Sequence, residues 1–406
     1  MATELVVSGM GVVSAIGQGK ADFSAALLAG RSAFGVMQRP GRRRDDAPLL
    51  GAEIAELSVP PGVPRQLLRT ASLSATAALC VVQEAWDEAD LGQLDPQRLG
   101  LIVGGSNVQQ RELVNLHDSY RDRIDFLRPT YALSFMDTDL CGFCTAHFGI
   151  QGLAYSVGGA SASGQLAVIQ AAQAVLSGQV DACIAVGALM DLSYWECQGF
   201  RSIGAMGSDR FAATPELACR PFDRDHDGFI YGECSGAIVI ESGQSARRRA
   251  GAGYARLTGW GLAMDGNRNP DPSLQGETRA IRAALAQAGW SPAQVDYVNP
   301  HGTGSIVGDE TEVRALRECG LDHAHLNATK SLVGHGLSAA GAVEIIATLL
   351  QMRAGRLHPT RNLDNPIDAQ LRWVEPAGTA HTIRNALTLS MGFGGMNTAL
   401  CWQSCA

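Results

Sequence analysis

The chain has 406 residues, 46% of them apolar, enough to bury a sizeable core in two or three structural units. Its net charge of −8 argues against a nucleic-acid surface, and no basic run exceeds Arg42–Arg44. Ten cysteines lie mostly singly in apolar contexts, as at Cys80, Cys183, Cys234 and Cys401. That usage points to buried reduced thiols in a cytoplasmic protein rather than to disulfides. The opening MATELVVSGMG has no basic segment and reads directly as a strand, so no signal peptide is expected.

In chain order, Glu4–Ser8 reads as a strand ending at the Gly9 and Gly11 turn, and Lys20–Leu28 as a first helix. Residues 36–65 are polar, Arg-rich and broken by Pro and Gly, which predicts a surface excursion. A long Ala-rich helix is expected over Thr70–Leu91 and a buried strand over Leu99–Val103. Residues 107–137 mix charges with Leu and Tyr and read as a surface or subunit-contact layer. Ala182–Val186 is a strand, 190–225 reads as irregular, and Ala237–Ile240 and Ala255–Leu262 continue the strand pattern. Helices are predicted over Glu277–Ala288, Asp309–Cys319 and Leu337–Arg353, with strands at Val295–Val298 and Ala386–Ser390. Strands alternating with helices of this length indicate an α/β protein with mostly parallel sheets. The two halves rhyme in their strand, glycine-turn and helix units, which suggests a duplication meeting near residue 250.

No Asp, Glu, Lys or Arg occurs between Leu140 and Val180. The run is long enough to cross a bilayer, but its Gly, Ser, Gln and His content and its turns make it a buried core segment. Within it, Leu153–Val157 reads as a short strand and Gly158–Gly164 as a tight turn of small residues. A helix follows, with Leu166, Ile169, Ala172 and Leu176 on one face and Gly178 placed to cap it. Ser161 would then project near a helix N-terminus, where free N–H groups favour an anion. A nucleophile turn and a Gly/Ala/Ser-lined helix contact both fit this pattern.

Four polar clusters follow strand ends: Ser161, His301 in NPHGTGS, Lys330 with His335 in ATKSLVGHGLSAAG, and the GFGG turn at 392–395. Imidazoles on turns beyond buried strands are placed to face a ligand. Lys330 stands out because Lys20 is the only other lysine in this Arg-rich chain. A compact ammonium suits a buried pair, and Glu344 is a candidate partner. Two motifs are set aside. Asp223–Gly228 mimics the start of a calcium loop, but the twelfth position is Cys234. Cys141-Gly-Phe-Cys144 lacks the second pair that a zinc site needs.

Taken together, VVSGMGVVSAIG at 6–17, RPFDRDHDGFIYGECSGAIVIE at 220–241, NPHGTGSIVGD at 299–309, TKSLVGH at 329–335 and SMGFGGMNTAL at 390–400 resemble the β-ketoacyl synthase family. These are the condensing enzymes of fatty-acid and polyketide assembly. The resemblance implies the thiolase fold, a duplicated five-layer αβαβα architecture, with halves at 1–248 and 249–406 carrying Ser161 and the two histidines respectively. It implies a homodimer, and acyl thioesters on the phosphopantetheine of acyl carrier protein with no other cofactor or metal. His301 and His335 match the catalytic histidines, Lys330 the lysine supporting them, and Glu344 its carboxylate partner. Thr303 and Ser305 match residues that bind the phosphopantetheine arm. Phe393, beside Gly392, matches a gating residue whose N–H helps form an oxyanion hole. The departure is Ser161, where the family carries a nucleophilic Cys; Met396 and Ser338 replace a usual Thr and Gly.

A helix N-terminus brings a thiol of pKa near 8.5 towards thiolate. A serine hydroxyl is far less acidic, and the same dipole supplies only about 1–2 kcal/mol. Acyl loading should therefore fail or slow, whereas decarboxylation needs only donors aimed at the developing enolate oxygen. The expected activity is decarboxylation of malonyl-carrier protein to acetyl-carrier protein, within a polyketide β-branching cassette. A Ser161-dependent acyltransferase and a non-catalytic partner resembling a chain-length factor are the alternatives.

Overall fold

The computed structural model describes residues 4–43, 46–248 and 253–405. The junction expected at 248/249 therefore borders residues outside those described. In the N-terminal half, strands β1 (Leu5–Ser14), β2 (Leu99–Gly104), β3 (Ala154–Val157), β4 (Ala182–Gly187) and β5 (Cys234–Ser242) take the order β1-β5-β4-β2-β3. In the C-terminal half, β6 (Ala255–Met264), β7 (Tyr297–Asn299), β8 (His325–Leu326), β9 (Arg372–Trp373), β10 (Asn385–Gly392) and β11 (Met396–Ser404) take the order β6-β11-β10-β7-β8-β9.

The same sequence of directions runs through both halves. The first two pairings in each are antiparallel and those that follow are parallel. An antiparallel β1–β6 contact at Val6 and Arg256 joins them edge to edge. The sheet is therefore mixed rather than mostly parallel. The long hydrophobic runs mark the central strands as covered on both faces, a pattern that parallel and buried antiparallel strands share.

Helices complete the layers. Helix α1 (Lys20–Leu28) packs against β1, α2 (Leu73–Glu88) and α3 (Thr138–Phe148) cover the outer face of the first half, and α5 (Leu274–Ala288) with α6 (Ile306–Glu318) covers that of the second. Between the halves lie α4 (Ser163–Leu176) and α7 (Ala340–Ala354). Three apolar clusters fill the spaces between layers, one under each outer helix layer and a large one around the middle helices. By length and composition Leu337–Ala354 could cross a membrane, yet 89% of it is buried within this core.

Glycines mark the duplication. A Cβ on Gly9 or Gly11 of β1 would lie 2.4 or 2.0 Å from the Ala85 or Val81 carbonyl oxygen of α2. A Cβ on Gly259 or Gly261 of β6 would lie 2.6 or 1.9 Å from those of Ala284 or Ala280 in α5. Each pair lets an outer helix lie directly on its strand, and a register shift falls beside each, at Val7/Gly9 and Leu257/Gly259.

Two further expectations change. Residues 194–202 form a helix, started by a capping box between Ser193 and Glu196, a signal present in the sequence. The excursion at 36–65 is not wholly surface: Arg42 is fully buried, pairing with Asp191 and Glu233 at 2.8 Å each and with Glu53 at 2.8 Å. Its charge is drawn inward by carboxylates distant in sequence. Replacing Arg42 with Met should destabilise the fold by about 3 kcal/mol, because it leaves buried carboxylates under-compensated; urea unfolding measures this.

Candidate active site

The Ser161 stretch is a tight turn leading into a helix whose small residues make a close helix contact. A single turn over Ala160–Ala162 leads into α4, and Ala160 takes φ 47°, a left-handed value that costs a non-glycine residue about 1–2 kcal/mol. Gly159 N–H donates to Ser163 Oγ at 2.9 Å and fixes the turn. The second half repeats this device: Leu337 has φ 51°, and the turn Leu337–Ala339 leads into α7. The two helices meet through small residues. A Cβ on Gly164 would lie 2.7 Å from Ala342 N, and one on Gly341 2.8 Å from Gln165 Cγ. The close crossing brings the start of α7 against the Ser161 turn.

Ser161 Oγ lies 2.9 Å from His335 Nε2. His335 is held by its own N–H, which donates to the Ile230 carbonyl at 2.7 Å. Its other ring nitrogen, Nδ1, is buried and has no hydrogen-bond partner among the described residues, so no carboxylate orients the ring. The His301 and His335 rings meet edge to face, with centroids 5.5 Å apart. Lys330 is buried beneath them. Its ammonium donates to Glu344 Oε1 at 2.5 Å and to the His301 carbonyl, and lies 3.5 Å from His301 Nδ1.

Electrostatics follow from burial around one cation. Burial, then the Lys330 charge, holds His335 well below the ordinary imidazole range, and burial, Lys330 and His335 do the same to His301. Both rings are neutral at pH 7. Burial pushes Glu344 up to about 7 against the pull of Lys330.

Thr303 Oγ1 and Ser305 Oγ are 2.8 Å apart and line the same cavity, of about 330 Å³, as Ser161 and both histidines. Phe393 and Gly392 also line it, with Phe393 half-exposed near Phe200. Gly392 backs onto the Ser161 turn, where a Cβ would lie 2.1 Å from the Gly159 carbonyl oxygen. The structure thus gathers every residue singled out in the sequence, either on the cavity wall or, for Lys330 and Glu344, directly behind it. Met396 packs its sulfur against Gly159, and Ser338 donates to the Ala188 carbonyl at 2.9 Å.

Other supports carry weaker sequence signals, lying only within the predicted helix Asp309–Cys319. Asp309 accepts the Thr303 and Gly304 N–H groups at 3.1 Å, the Phe222 N–H at 2.6 Å and a contact from His226 Nδ1 at 3.1 Å. Glu312 accepts the His301 and Gly302 N–H groups at 2.6 and 2.8 Å. The segment that mimics a calcium loop is a clasp: Asp223 accepts the Asp364 and Asn365 N–H groups and pairs with Arg220. Cys141 and Cys144 are buried free thiols.

The model of the β-ketoacyl synthase N-terminal domain matches residues 2–246, and that of the C-terminal domain matches 254–364. The chain belongs to the β-ketoacyl synthase family. Over 401 residues, covering 99% of this chain and 96% of the relative, it is 60% identical to the polyketide biosynthesis malonyl-ACP decarboxylase PksF of Bacillus subtilis (strain 168). It is 30% identical to the 3-oxoacyl-[acyl-carrier-protein] synthase 2 of a Synechocystis strain, covering 98% and 97% of the two chains. Among solved structures it is similar to a β-ketoacyl synthase from Burkholderia phymatum STM815, with TM-score 0.90, 26% identity and 99% of each chain covered. The ishigamide ketosynthase/chain length factor gives TM-score 0.88 at 26% identity, covering 100% of each chain. This synthase homologue therefore has the family's fold and both histidines, with a hydroxyl at position 161.

Lys330→Met removes a positive charge from beneath both rings. The pKa values of His301 and His335 should rise towards 6.5 yet stay below it because burial persists, as an NMR titration of labelled histidine would read.

Proposed function

We propose that this synthase homologue decarboxylates malonyl-carrier protein to acetyl-carrier protein. The observation that carries the reading is a pair of neutral imidazoles, His335 buried and His301 partly buried, facing one cavity beside a hydroxyl where a thiol would be needed for condensation. The 60% identity to PksF, which is named as a malonyl-ACP decarboxylase, supports the same reaction here.

The pantetheine arm enters past Phe393 and hydrogen-bonds Thr303 and Ser305. The thioester oxygen then lies against the imidazole N–H groups of His301 and His335, with the Phe393 N–H as a further donor. Neutral imidazoles suit this role, because each donates one N–H without presenting a proton that the enolate oxygen would take outright. As the carbon–carbon bond breaks, carbon dioxide leaves and negative charge collects on that oxygen. Lys330 and Glu344 act behind the rings, fixing the His301 backbone and keeping both imidazoles uncharged. Ser161 Oγ accepts from His335 Nε2–H, the tautomer in which that ring is a donor, which leaves the Ser161 O–H to position the substrate.

The 2.9 Å Ser161–His335 contact favours a second reading, acyl transfer through Ser161. Against it, the ring has a lowered pKa and no orienting acid, which makes it a weak base.

A homodimer is proposed from the edge strand β3 and the apolar side chains clustered in segment 124–136. Ile124, Phe126 and Leu133 there are 65%, 77% and 58% exposed, and Tyr155 on β3 is 39% exposed. Acyl carrier protein is the proposed partner, and a polyketide β-branching cassette in the cytoplasm the proposed setting.

The test is to incubate the protein with malonyl-loaded carrier protein and follow its mass. Loss of carbon dioxide is expected, falling roughly a hundred- to a thousand-fold in His301→Ala. No carbon dioxide loss in the unaltered protein, or an unaffected rate in His301→Ala, would sink the proposal. Ser161→Ala should keep most of the decarboxylation, read by the carrier protein's mass, and Ser161→Cys should gain acyl loading, read by peptide mass mapping; an inactive Ser161→Ala protein would favour the nucleophile instead.

A further inference from the structure

Decarboxylation leaves an enolate whose carbon must receive a proton, and neither neutral imidazole carries a spare one. Glu277, in the first turn of α5, lines the same cavity as Ser161, His301 and His335. It is 1% exposed, and its Oε2 is buried with no hydrogen-bond partner among the described residues. The charged groups acting on it are Glu312, Asp265 and Asp309, all acids. Burial and these neighbours hold its carboxyl well above the usual range, which favours its neutral, proton-bearing form.

Of the other acids on the cavity wall, Asp271 is exposed to solvent and the remaining three are committed elsewhere. Both oxygens of Glu312 accept backbone N–H groups, Asp309 holds four donors, and Asp265 Oδ1 accepts from Asn397 Nδ2 at 2.9 Å. A proton on Glu312 or Asp309 would displace a bond that holds the His301 loop. Glu277 alone among them presents a buried oxygen without a partner on the cavity wall.

We propose that Glu277 is the acid that protonates the enolate carbon, a role that rests on the decarboxylase reading above. The step balances. The malonyl carboxylate leaves as carbon dioxide, its bonding electrons form the enolate, and the Glu277 O–H bond breaks as the new C–H bond forms. Acetyl thioester and the Glu277 carboxylate result, and solvent returns the proton after product leaves. A general acid so placed contributes about a hundred- to ten-thousand-fold.

The test uses malonyl-carrier protein in an equal mixture of light and heavy water, reading the rate and the ratio of CH2D to CH3 product by mass. Glu277→Gln should lower kcat about a hundred-fold with KM unchanged, and should shift the isotope ratio because water replaces the carboxyl as donor. Glu277→Asp, which keeps a carboxylic acid, should retain the wild-type ratio at a reduced rate. A wild-type kcat in Glu277→Gln, or a lowered kcat with an unchanged ratio, overturns the proposal. If the unaltered protein releases no carbon dioxide, the decarboxylase reading itself fails; if it does and only the Glu277 variants behave as wild type, that reading stands without this donor.

Discussion

One buried ammonium organises the catalytic half of this protein. Lys330 ties the backbone of His301 to Glu344 on α7 and places a positive charge beneath both imidazoles. Burying an ion without a partner would be prohibitive, and here the partners are the elements that must be aligned. The same charge that holds the loop in place keeps the rings neutral. Geometry and protonation state are therefore set together.

The duplication supplies the frame for that arrangement. Helices α4 and α7 enter the middle layer through matching turns with a left-handed residue, and they cross where Gly164 and Gly341 leave no side chain between them. Ser161 belongs to one half and His335 to the other, so their 2.9 Å contact depends on how closely those helices approach. The mid-chain segment then clasps the second half. Gly228 N–H donates to the Gly304 carbonyl and Ile230 accepts from His335, while Glu233 anchors the same segment to Arg39 and Arg42. Strain in the Ser161 turn persists because so many contacts over-determine it.

Changing a thiol to a hydroxyl in such a site separates two activities that the family combines. The electrophilic side of the cavity depends on the histidines and Lys330, none of which needs the nucleophile. What the exchange removes is a group able to ionise near neutral pH. In the proposed reaction the cavity that remains stabilises an enolate and, through Glu277, holds a proton for it rather than an acyl chain to receive it.

The residues of the site were largely legible in the sequence. Ser161, His301, Lys330, His335 and Phe393 each lie in a short motif at the end of a strand, and such turns converge at one edge of an α/β sheet. The strands and core helices were also legible, because their apolar periodicity is local. Strand direction was not, since a residue run covered on both faces reads alike in either direction. Arg42 read as surface because its carboxylate partners are distant in sequence. Glu277 and Glu312 stood in the sequence only as residues of predicted helices, where acids facing solvent and acids facing a cavity look the same. The sequence by itself determined the chemistry available: two imidazoles, one ammonium, and a hydroxyl in place of a thiol. Only the tertiary structure decided which groups lose water and face one another, and that loss of water sets the protonation states on which the chemistry depends.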